Sequence, residues 1–165
     1  MLSDYDRRVD HVDRVLAQWR AERPDLDPSP MAVIGRLSRA ATAVDAALAE
    51  TFARHGIDAS TFDVLASLVR QGAPYRLTPV ELATQAMVTS SAVAQRLNRL
   101  ESLGYVRRTA NPADGRGKIV ELTAEGKALL DRVLPEHLET ERRLLERFTD
   151  EERVALAGLL ARLAG

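Results

Sequence analysis

The sequence predicts a mainly α-helical fold with a winged helix-turn-helix at its centre, and three observations lead to this prediction. Two short helical segments, residues 80–85 and 90–103, are separated by only a few residues, as in a helix-turn-helix. Two segments with β-branched and aromatic residues, 105–110 and 118–123, follow directly and predict a β-hairpin, the wing. Further helical segments with apolar periodicity stand on both sides of this unit.

Length and composition exclude several classes of protein. A chain of 165 residues with 45% hydrophobic and 28% charged residues has the size of one domain and enough apolar material for a core. The absence of cysteine excludes disulfides and thiolate metal sites, and three scattered histidines argue against zinc, so no cofactor is expected. There is no long apolar run and the N-terminal residues are charged, so we expect a cytoplasmic protein without membrane contact.

The first three helices are predicted from apolar spacing and from the residues that break it. An apolar stripe at spacings of three and four residues predicts an N-terminal helix. Prolines interrupt the chain after it, and Ser29-Pro30 opens a second helix that extends to about residue 55 and stops at Gly56. A third helix is predicted over about 60–70. The stripe consists of Leu2, Tyr5, Val9, Val12, Leu16 and Trp19.

The helix-turn-helix itself has clear capping signals. Thr78 and Glu81 form a capping box with Pro79 at the first helical position, and this box opens the short helix 80–85. Residues 86–88 form a tight connection, and Thr89-Ser90-Ser91 caps the next helix, which ends at Gly104. This next helix is the predicted recognition helix. Its predicted inward face consists of Val93, Leu97, Leu100 and Leu103.

The wing and the C-terminal helices follow in order. Residues 111–117 are predicted to form a turn-rich loop with Arg116 near its tip. Thr123 caps a long helix that reaches about residue 148, and Pro135 is expected to bend or interrupt it. A second capping box, from Thr149 to Glu152, opens a final leucine-rich helix.

The charge distribution singles out one segment. The formal net charge is only −1, and residues 1–30 hold seven acidic against five basic side chains. Residues 89–118 hold six basic against two acidic side chains, a local charge of +4. A basic segment in an acidic protein is typical of a surface that contacts phosphates. A solvated arginine-rich face fits as well, because arginine outnumbers lysine 21 to 2 throughout the chain.

The recognition helix and the wing carry residue types that suit duplex DNA. Short hydroxyl and amide side chains at the start of the helix fit base edges in the major groove, and arginines one turn later reach phosphates or guanine. An arginine on the wing fits a narrow minor groove. The alternative is a winged helix that contacts only protein. The candidate DNA-contacting residues are Thr89, Ser90, Ser91, Gln95, Arg96, Arg99, Arg116 and Lys118.

Over residues 30–165 the sequence resembles the MarR-type transcriptional regulators. The match is carried by Thr89-Ser90-Ser91-Ala92-Val93, by 96–108 (RLNRLESLGYVRR), by Asp114-Gly115-Arg116-Gly117 and by 120–126 (VELTAEG). The resemblance implies a homodimeric regulator, a repressor in our interpretation, whose terminal helices interleave. Each protomer then offers one winged helix to half of a palindromic operator in double-stranded DNA. Many members carry an arginine where this chain has Gly115, which weakens the expected grip of the wing.

The resemblance and the residues together give a single MarR-like domain over 1–165. Residues 1–56 and 124–165 are the expected dimerisation helices, and 60–123 is the expected DNA-binding lobe. Leu144, Leu145, Phe148 and the leucines of the final helix offer more apolar surface than a small winged helix requires. Since burying each further leucine is worth about 2 kcal/mol, this surface favours a dimer. An intramolecular core is the alternative.

A narrower resemblance points to the urate-responsive branch of the family. That branch carries an added first helix with a tryptophan, and its effector is surrounded by residues that match Trp19, Asp63, Arg96 and Arg108 here. It implies a small anionic effector such as urate or a related purine. Arginines suit the acidic oxygens of such an anion, an aspartate accepts from ring N–H groups, and an indole can stack on the flat ring or donate its N–H.

Each of these four residues also has a purely structural interpretation. Trp19 lies on the apolar stripe and can act as a packing anchor, while Asp63 can favour the dipole of its helix. Arg96 can serve DNA alone, and Arg108 can pair with an acid. A phenolic compound, an antibiotic or a carboxylate metabolite remains possible as the effector. An enzyme is not expected, since no nucleophile–base pair or phosphate-binding glycine loop is visible, and His55 reads as a helix C-terminal residue.

Overall fold

The computed structural model describes residues 9–85, 90–112 and 114–165, and for residues 90–94 and 114–116 it describes the backbone alone. Within this part of the chain there are seven helices and three strands, so the mainly helical class with a small wing is confirmed. The helices are α1 His11–Glu22, α2 Met31–Arg54, α3 Ala59–Arg70, α4 Pro79–Gln85, α5 Ser90–Ser102, α6 Ala124–Leu144 and α7 Asp150–Ala164. The strands are β1 Arg76–Leu77, β2 Val106–Asn111 and β3 Asp114–Leu122.

The chain divides into two compact units, residues 1–46 and 47–165. In the first unit, Asp10 caps α1 by accepting the backbone N–H of Asp13, and the Asp13 carboxylate accepts that of Asp10. Arg36 of α2 donates to both carboxylates, at 2.9 Å and 2.8 Å. The helix therefore begins at His11, and the prediction that it already includes Val9 is wrong because Asp10 has the extended backbone of a cap. Residues 1–8 lie outside the described chain.

The apolar core of the second unit lies beneath the winged helix. The recognition helix α5 contributes Leu97 and Leu100, which are buried as predicted. Leu103 was predicted to face inward but is 49% exposed, because α5 ends at Ser102 and the periodicity of the helix no longer applies. The core is built mainly from Phe52, Val64, Leu65, Leu68, Leu77, Leu82, Leu97, Leu100, Val106, Val120, Leu129, Leu130 and Val133.

The capping box at the start of the helix-turn-helix is confirmed. The Glu81 carboxylate accepts from the backbone N–H of Thr78 at 2.7 Å, and the Thr78 hydroxyl accepts from the N–H of Glu81 at 3.2 Å. This reciprocal pair satisfies two backbone donors at the start of α4 and fixes the direction of that helix. The predicted tight connection at 86–88 lies outside the described residues.

The wing is a three-stranded antiparallel sheet in the order β1-β3-β2. The predicted hairpin is confirmed, but the predicted loop over 111–117 is wrong in extent, because pairing of β2 with β3 continues to Asn111 and Asp114. Arg116 therefore lies on β3 rather than in a loop. Gly115 and Gly117 suggested a turn, yet the strand ladder accommodates them, with an irregularity between Ala110 and Asn111. The short strand β1 was not predicted.

One carboxylate ties the three strands together at the base of the wing. Glu121 of β3 is opposite Arg76 of β1 and Arg107 of β2 in the strand register, and both arginines form ion pairs with it. Glu121 is only 4% exposed, whereas the two arginine side chains are 48% and 65% exposed. We call this group the Glu121 triad. It lies on the sheet face opposite to Arg108 and Val120, since neighbouring residues of a strand alternate between faces.

The C-terminal helices follow their predicted caps. The Thr123 hydroxyl accepts from the N–H of Gly126 and donates to the carbonyl of Gly104, which joins the start of α6 to the end of the recognition helix. Pro135 does not interrupt α6, which is continuous to Leu144. The capping box of Thr149 and Glu152 opens α7 as predicted. Among the described helices, none is sufficiently long and apolar to cross a membrane.

Candidate nucleic-acid and effector site

The recognition helix α5 has one face in the core and one face in solvent. Leu97 and Leu100 are buried, whereas Gln95 and Arg99 are exposed. Ser90 and Ser91 form the first residues of the helix, where only the backbone is described, and Thr89 lies outside the described residues. Of the predicted DNA-contacting side chains of α5 that the structure describes, Gln95 and Arg99 are exposed and Arg96 is half-buried.

Arg96 is placed differently from its neighbours on α5. Its side chain is half-buried, and its Nη1 atom is buried with no hydrogen-bond partner among the described residues. Its positive charge contributes to lowering the pKa of Asp58, which precedes α3. Arg96 thus lies toward the α3 side of the recognition helix, and it is not a fully solvated side chain like Arg99.

Asp58 is the N-cap of α3, and its carboxylate is near enough to Arg96 for the arginine's charge to act on its pKa. It accepts the backbone N–H of Thr61 at 2.7 Å and the hydroxyl of Ser60 at 2.8 Å. Burial alone would raise the pKa of Asp58, but these hydrogen bonds and the charge of Arg96 outweigh burial and lower it. Asp63, the predicted effector ligand, is half-buried on the same helix, one turn further along.

We expect Asp58→Asn to lower stability at neutral pH but not at acid pH. Folding lowers the pKa of Asp58, so its charged carboxylate stabilises the folded protein at any pH above the ordinary pKa of an aspartate, about 3.9. This stabilisation is lost as the pH falls from that value through the lower pKa of the folded state. Asparagine retains the capping oxygen, so the difference between the two proteins reports the charge. Urea denaturation from pH 7 to pH 3 measures it. A difference that stays constant over this range contradicts the prediction.

Arg108 of β2 is held by a carboxylate of the recognition helix. Glu101, near the end of α5, accepts from the backbone N–H of Arg108 at 3.0 Å and from its Nε at 2.9 Å, and Nη2 donates to the same oxygen as Nε. These bonds and the nearby charge of Lys118 lower the pKa of Glu101. We call this contact the Glu101–Arg108 clamp. It joins the end of the DNA-reading helix to the first strand of the wing.

The wing residues predicted to contact DNA lie on β3. Lys118 is exposed and is opposite Ala110 of β2, on the same sheet face as Arg108. Arg116 is two residues nearer the tip, where only the backbone is described. Arg108 bonds to Glu101 of α5, and the charge of Lys118 acts on the same carboxylate.

Trp19 belongs to the first compact unit, whereas Asp63, Arg96 and Arg108 belong to the second. On α1, Val12 and Leu16 of the apolar stripe are buried, but Trp19 is 44% exposed. The indole therefore leaves much of its surface available, and the interpretation of Trp19 as a buried packing anchor is not favoured within this chain.

Sequence reasoning did not identify Glu101 as the partner of Arg108, or the effect of the Arg96 charge on Asp58. Glu101 is seven residues before Arg108, and the helix ends between them at Gly104. The repeat of a helix or of a strand therefore does not predict that the two side chains are neighbours. A helix that ends in glycine and is followed directly by a strand folds back on itself, and this turn was the available signal. The capping role of Asp58 was visible from its place before α3, but its proximity to Arg96 was not.

The helix-turn-helix, the antiparallel wing and the exposed basic side chains on both define a winged-helix protein of the DNA-binding class. Residues 55–117 match the family model described as MarR family. The chain is 44% identical to the HTH-type transcriptional regulator PecS of Dickeya dadantii over 152 residues, which is 92% of each chain. The chain therefore belongs to the MarR family of transcriptional regulators, which are not enzymes.

Solved structures agree with this assignment. One is Sco3205, a MarR family transcriptional regulator from Streptomyces coelicolor, solved in complex with DNA. Its sequence is 30% identical to this chain, and the TM-score is 0.77. The match covers 84% of this chain and 88% of that chain. A structure of Bordetella bronchiseptica BpsR, whose DNA binding is regulated by 6-hydroxynicotinic acid, is 26% identical with a TM-score of 0.72. It covers 81% of this chain and 98% of that chain.

Proposed function

We propose that this chain is a homodimeric repressor that binds a palindromic operator and releases it when a small planar anion, urate or a related purine, binds. One observation carries the proposal. The predicted effector arginines lie on the DNA-reading element itself, Arg96 on α5 and Arg108 on the strand clamped to α5. A ligand held by these two guanidinium groups acts directly on the orientation of the recognition helix. A cytoplasmic location is part of this proposal.

The DNA side of the proposal rests on exposed polar and basic side chains. Gln95 and Arg99 on α5 and Lys118 on β3 are available to base edges and phosphates. The proposed contact set also includes the half-buried Arg96 and four residues of which no side chain is described: Thr89, Ser90, Ser91 and Arg116. The complex of Sco3205 with DNA supports this use of the fold.

The effector side rests on complementary chemistry. Two arginines supply forked N–H donors for the oxygens of a planar anion, and Asp63 supplies an acceptor for ring N–H groups. A ligand that lacked donors would be repelled by Asp63, which favours a purine over a simple polycarboxylate. The regulation of BpsR by 6-hydroxynicotinic acid, a flat heteroaromatic carboxylic acid, supports an effector of this general shape. We assign Trp19 to stack on the ring.

The dimer rests on apolar surface at the C-terminus. Helix α7 has no buried residue, although it is rich in leucine. Its largest exposed apolar side chains are Val154, Leu159, Leu160 and Leu163. Surface of this kind favours a second copy of the chain over exposure to water. The intramolecular core considered from the sequence would have required these side chains to be covered within the chain.

Urate titration of a protein–DNA complex tests the proposal. A duplex selected from a random library with the purified protein serves as the operator, and fluorescence anisotropy follows its release. We expect two protomers per duplex and release of the wild-type protein by urate. An effector that prefers the DNA-incompetent state 100-fold supplies about 2.7 kcal/mol, enough for such release.

Two variants and one control make this test specific. Trp19→Phe should still bind the duplex, and Arg108→Ala should bind it more weakly because the clamp is lost; both should require at least about tenfold more urate for release. Arg147→Ala, which removes an exposed arginine outside the site, controls for the loss of one positive charge. If neither site variant changes the response to urate, the effector site is misassigned. If urate releases nothing from the wild-type protein, the effector is not urate.

A further inference from the structure

We propose that Glu101 is an internal competitor of the effector: its carboxylate occupies the binding edge of Arg108 in the DNA-competent state and must give it up when the anion binds. This inference rests on the proposed function, because it assumes that Arg108 contacts the effector. It adds a residue that the effector does not touch, and it explains how binding at Arg108 reaches the recognition helix.

The geometry of the Glu101–Arg108 clamp supplies the competition. A guanidinium group presents its donors as a planar fork, and the Nε/Nη2 edge is one of the edges that bind a flat anion through two parallel hydrogen bonds. Both donors of this edge are bonded to Glu101 Oε2. The effector and Glu101 therefore cannot both hold this edge of Arg108 in the same arrangement.

Glu101 also lies near a second positive charge, which stays when Arg108 leaves. The positive charge of Lys118 already acts on the Glu101 carboxylate. The Glu101 side chain is 36% exposed, and that of Arg108 is 33% exposed, so solvent reaches both groups. Exchange of Arg108 from Glu101 to the effector thus leaves no buried unpaired charge, and the barrier that makes buried ion pairs costly to break is absent.

Opening the clamp has a mechanical consequence at the recognition helix. The clamp joins the last turn of α5 to β2 through the side chain of Arg108 and through its backbone N–H. Earlier in the helix, Leu97 and Leu100 remain anchored in the core. Loss of the side-chain bonds frees the end of α5 relative to the wing while the core stays intact. DNA reading requires α5 and the wing in one fixed arrangement, so the effector and the operator favour opposite states of the clamp.

The test is Glu101→Gln, which removes the charge but keeps an oxygen that can accept the backbone N–H of Arg108. We expect urate to bind the free protein about two- to fivefold more tightly, the range for loss of an exposed ion-pair competitor. The factor by which urate weakens operator binding should shrink, because without its competitor the DNA-bound protein gains at least as much urate affinity as the free protein, and reciprocity makes the two effects equal. Quenching of the single tryptophan, Trp19, or calorimetry measures the first quantity, and anisotropy measures the second.

A purely structural role of Glu101 predicts the opposite sign, since a loosened site binds both urate and operator more weakly. Asp131→Asn, which removes one acidic charge from an exposed pair with Lys127, controls for a general gain in anion binding. If the glutamine variant does not fold, Glu101→Asp, which withdraws the carboxylate by one methylene, should shift urate affinity in the same direction. Unchanged or weaker urate binding by the folded variant, with Arg108→Ala defective, overturns the competition and leaves the proposed effector site standing. If Arg108→Ala also binds urate normally, the effector site itself fails.

Discussion

Gly126→Ala is expected to lower the free energy of unfolding by about 3 kcal/mol or more, since it overpacks a buried site. Gly126 is in the first turn of α6 and is buried against the segment that follows the recognition helix. A Cβ at this position would lie 2.2 Å from the carbonyl oxygen of Tyr105 and 2.9 Å from Cδ1 of Leu122. The Tyr105 carbonyl is backbone and also accepts the N–H of Thr123, so it cannot move aside without breaking the junction between the wing and α6.

Chemical denaturation of the two proteins measures this effect, and the chain provides a matched control. Gly158 is in the middle of α7, where a Cβ would meet nothing within 4 Å. Gly158→Ala should therefore be neutral or stabilising by up to about 1 kcal/mol, because alanine is the better helix former. Equal effects of the two substitutions would contradict the close approach of α6 to Tyr105.

Arg99→Ala is expected to weaken operator binding by about ten- to a hundredfold. Arg99 is exposed on the solvent face of α5, one helical turn beyond Gln95, while its neighbour Leu100 is buried. Its guanidinium group is thus free to reach a phosphate or a guanine, and the substitution leaves the core untouched. The binding constant measured at several salt concentrations separates the two contacts. Loss of a phosphate contact reduces the slope of the logarithm of the binding constant against the logarithm of the salt concentration by about one. Loss of a base contact instead relaxes the preference for the operator sequence.

Arg147→Ala is the matched control for this measurement as well, because Arg147 is exposed but lies in the segment between α6 and α7. It should change operator affinity by less than about threefold. If Arg99→Ala and Arg147→Ala behave alike, the solvent face of α5 does not read DNA, and the basic segment is the solvated face considered from the sequence.

Helices and their caps were predictable because their signals are local. The capping boxes at Thr78 and Thr149, the cap at Thr123 and the helix end at Gly104 each depend on residues no more than a few positions apart. The stretch from Met31 to Arg54 was predicted within a residue or so for the same reason. The start of α1 was missed because two aspartates, Asp10 and Asp13, compete with the apolar stripe that continues before them.

The sheet and the site were less predictable because they depend on contacts between distant residues. Strand β1 has only two residues and exists because Arg76 and Leu77 pair with β3, more than forty positions later. The extent of β2 and β3 was underestimated because glycine and proline suggested a turn, while the ladder between the strands decided the outcome. The contact of Glu101 with Arg108 and the effect of Arg96 on Asp58 were missed because tertiary folding brings these residues together. The contact of Trp19 with the effector stays a prediction.

The Glu121 triad has a consequence for how such a regulator can diversify. Because one carboxylate pairs with Arg76 and Arg107 on its two sides, a slip of either strand by one position would turn that strand's arginine to the other sheet face and leave the buried Glu121 carboxylate without this partner. The base of the wing is thereby insulated from changes at its tip. The segment between Asn111 and Lys118 can change in length and charge without loss of the sheet that carries it. New operator sequences can be recognised in this way.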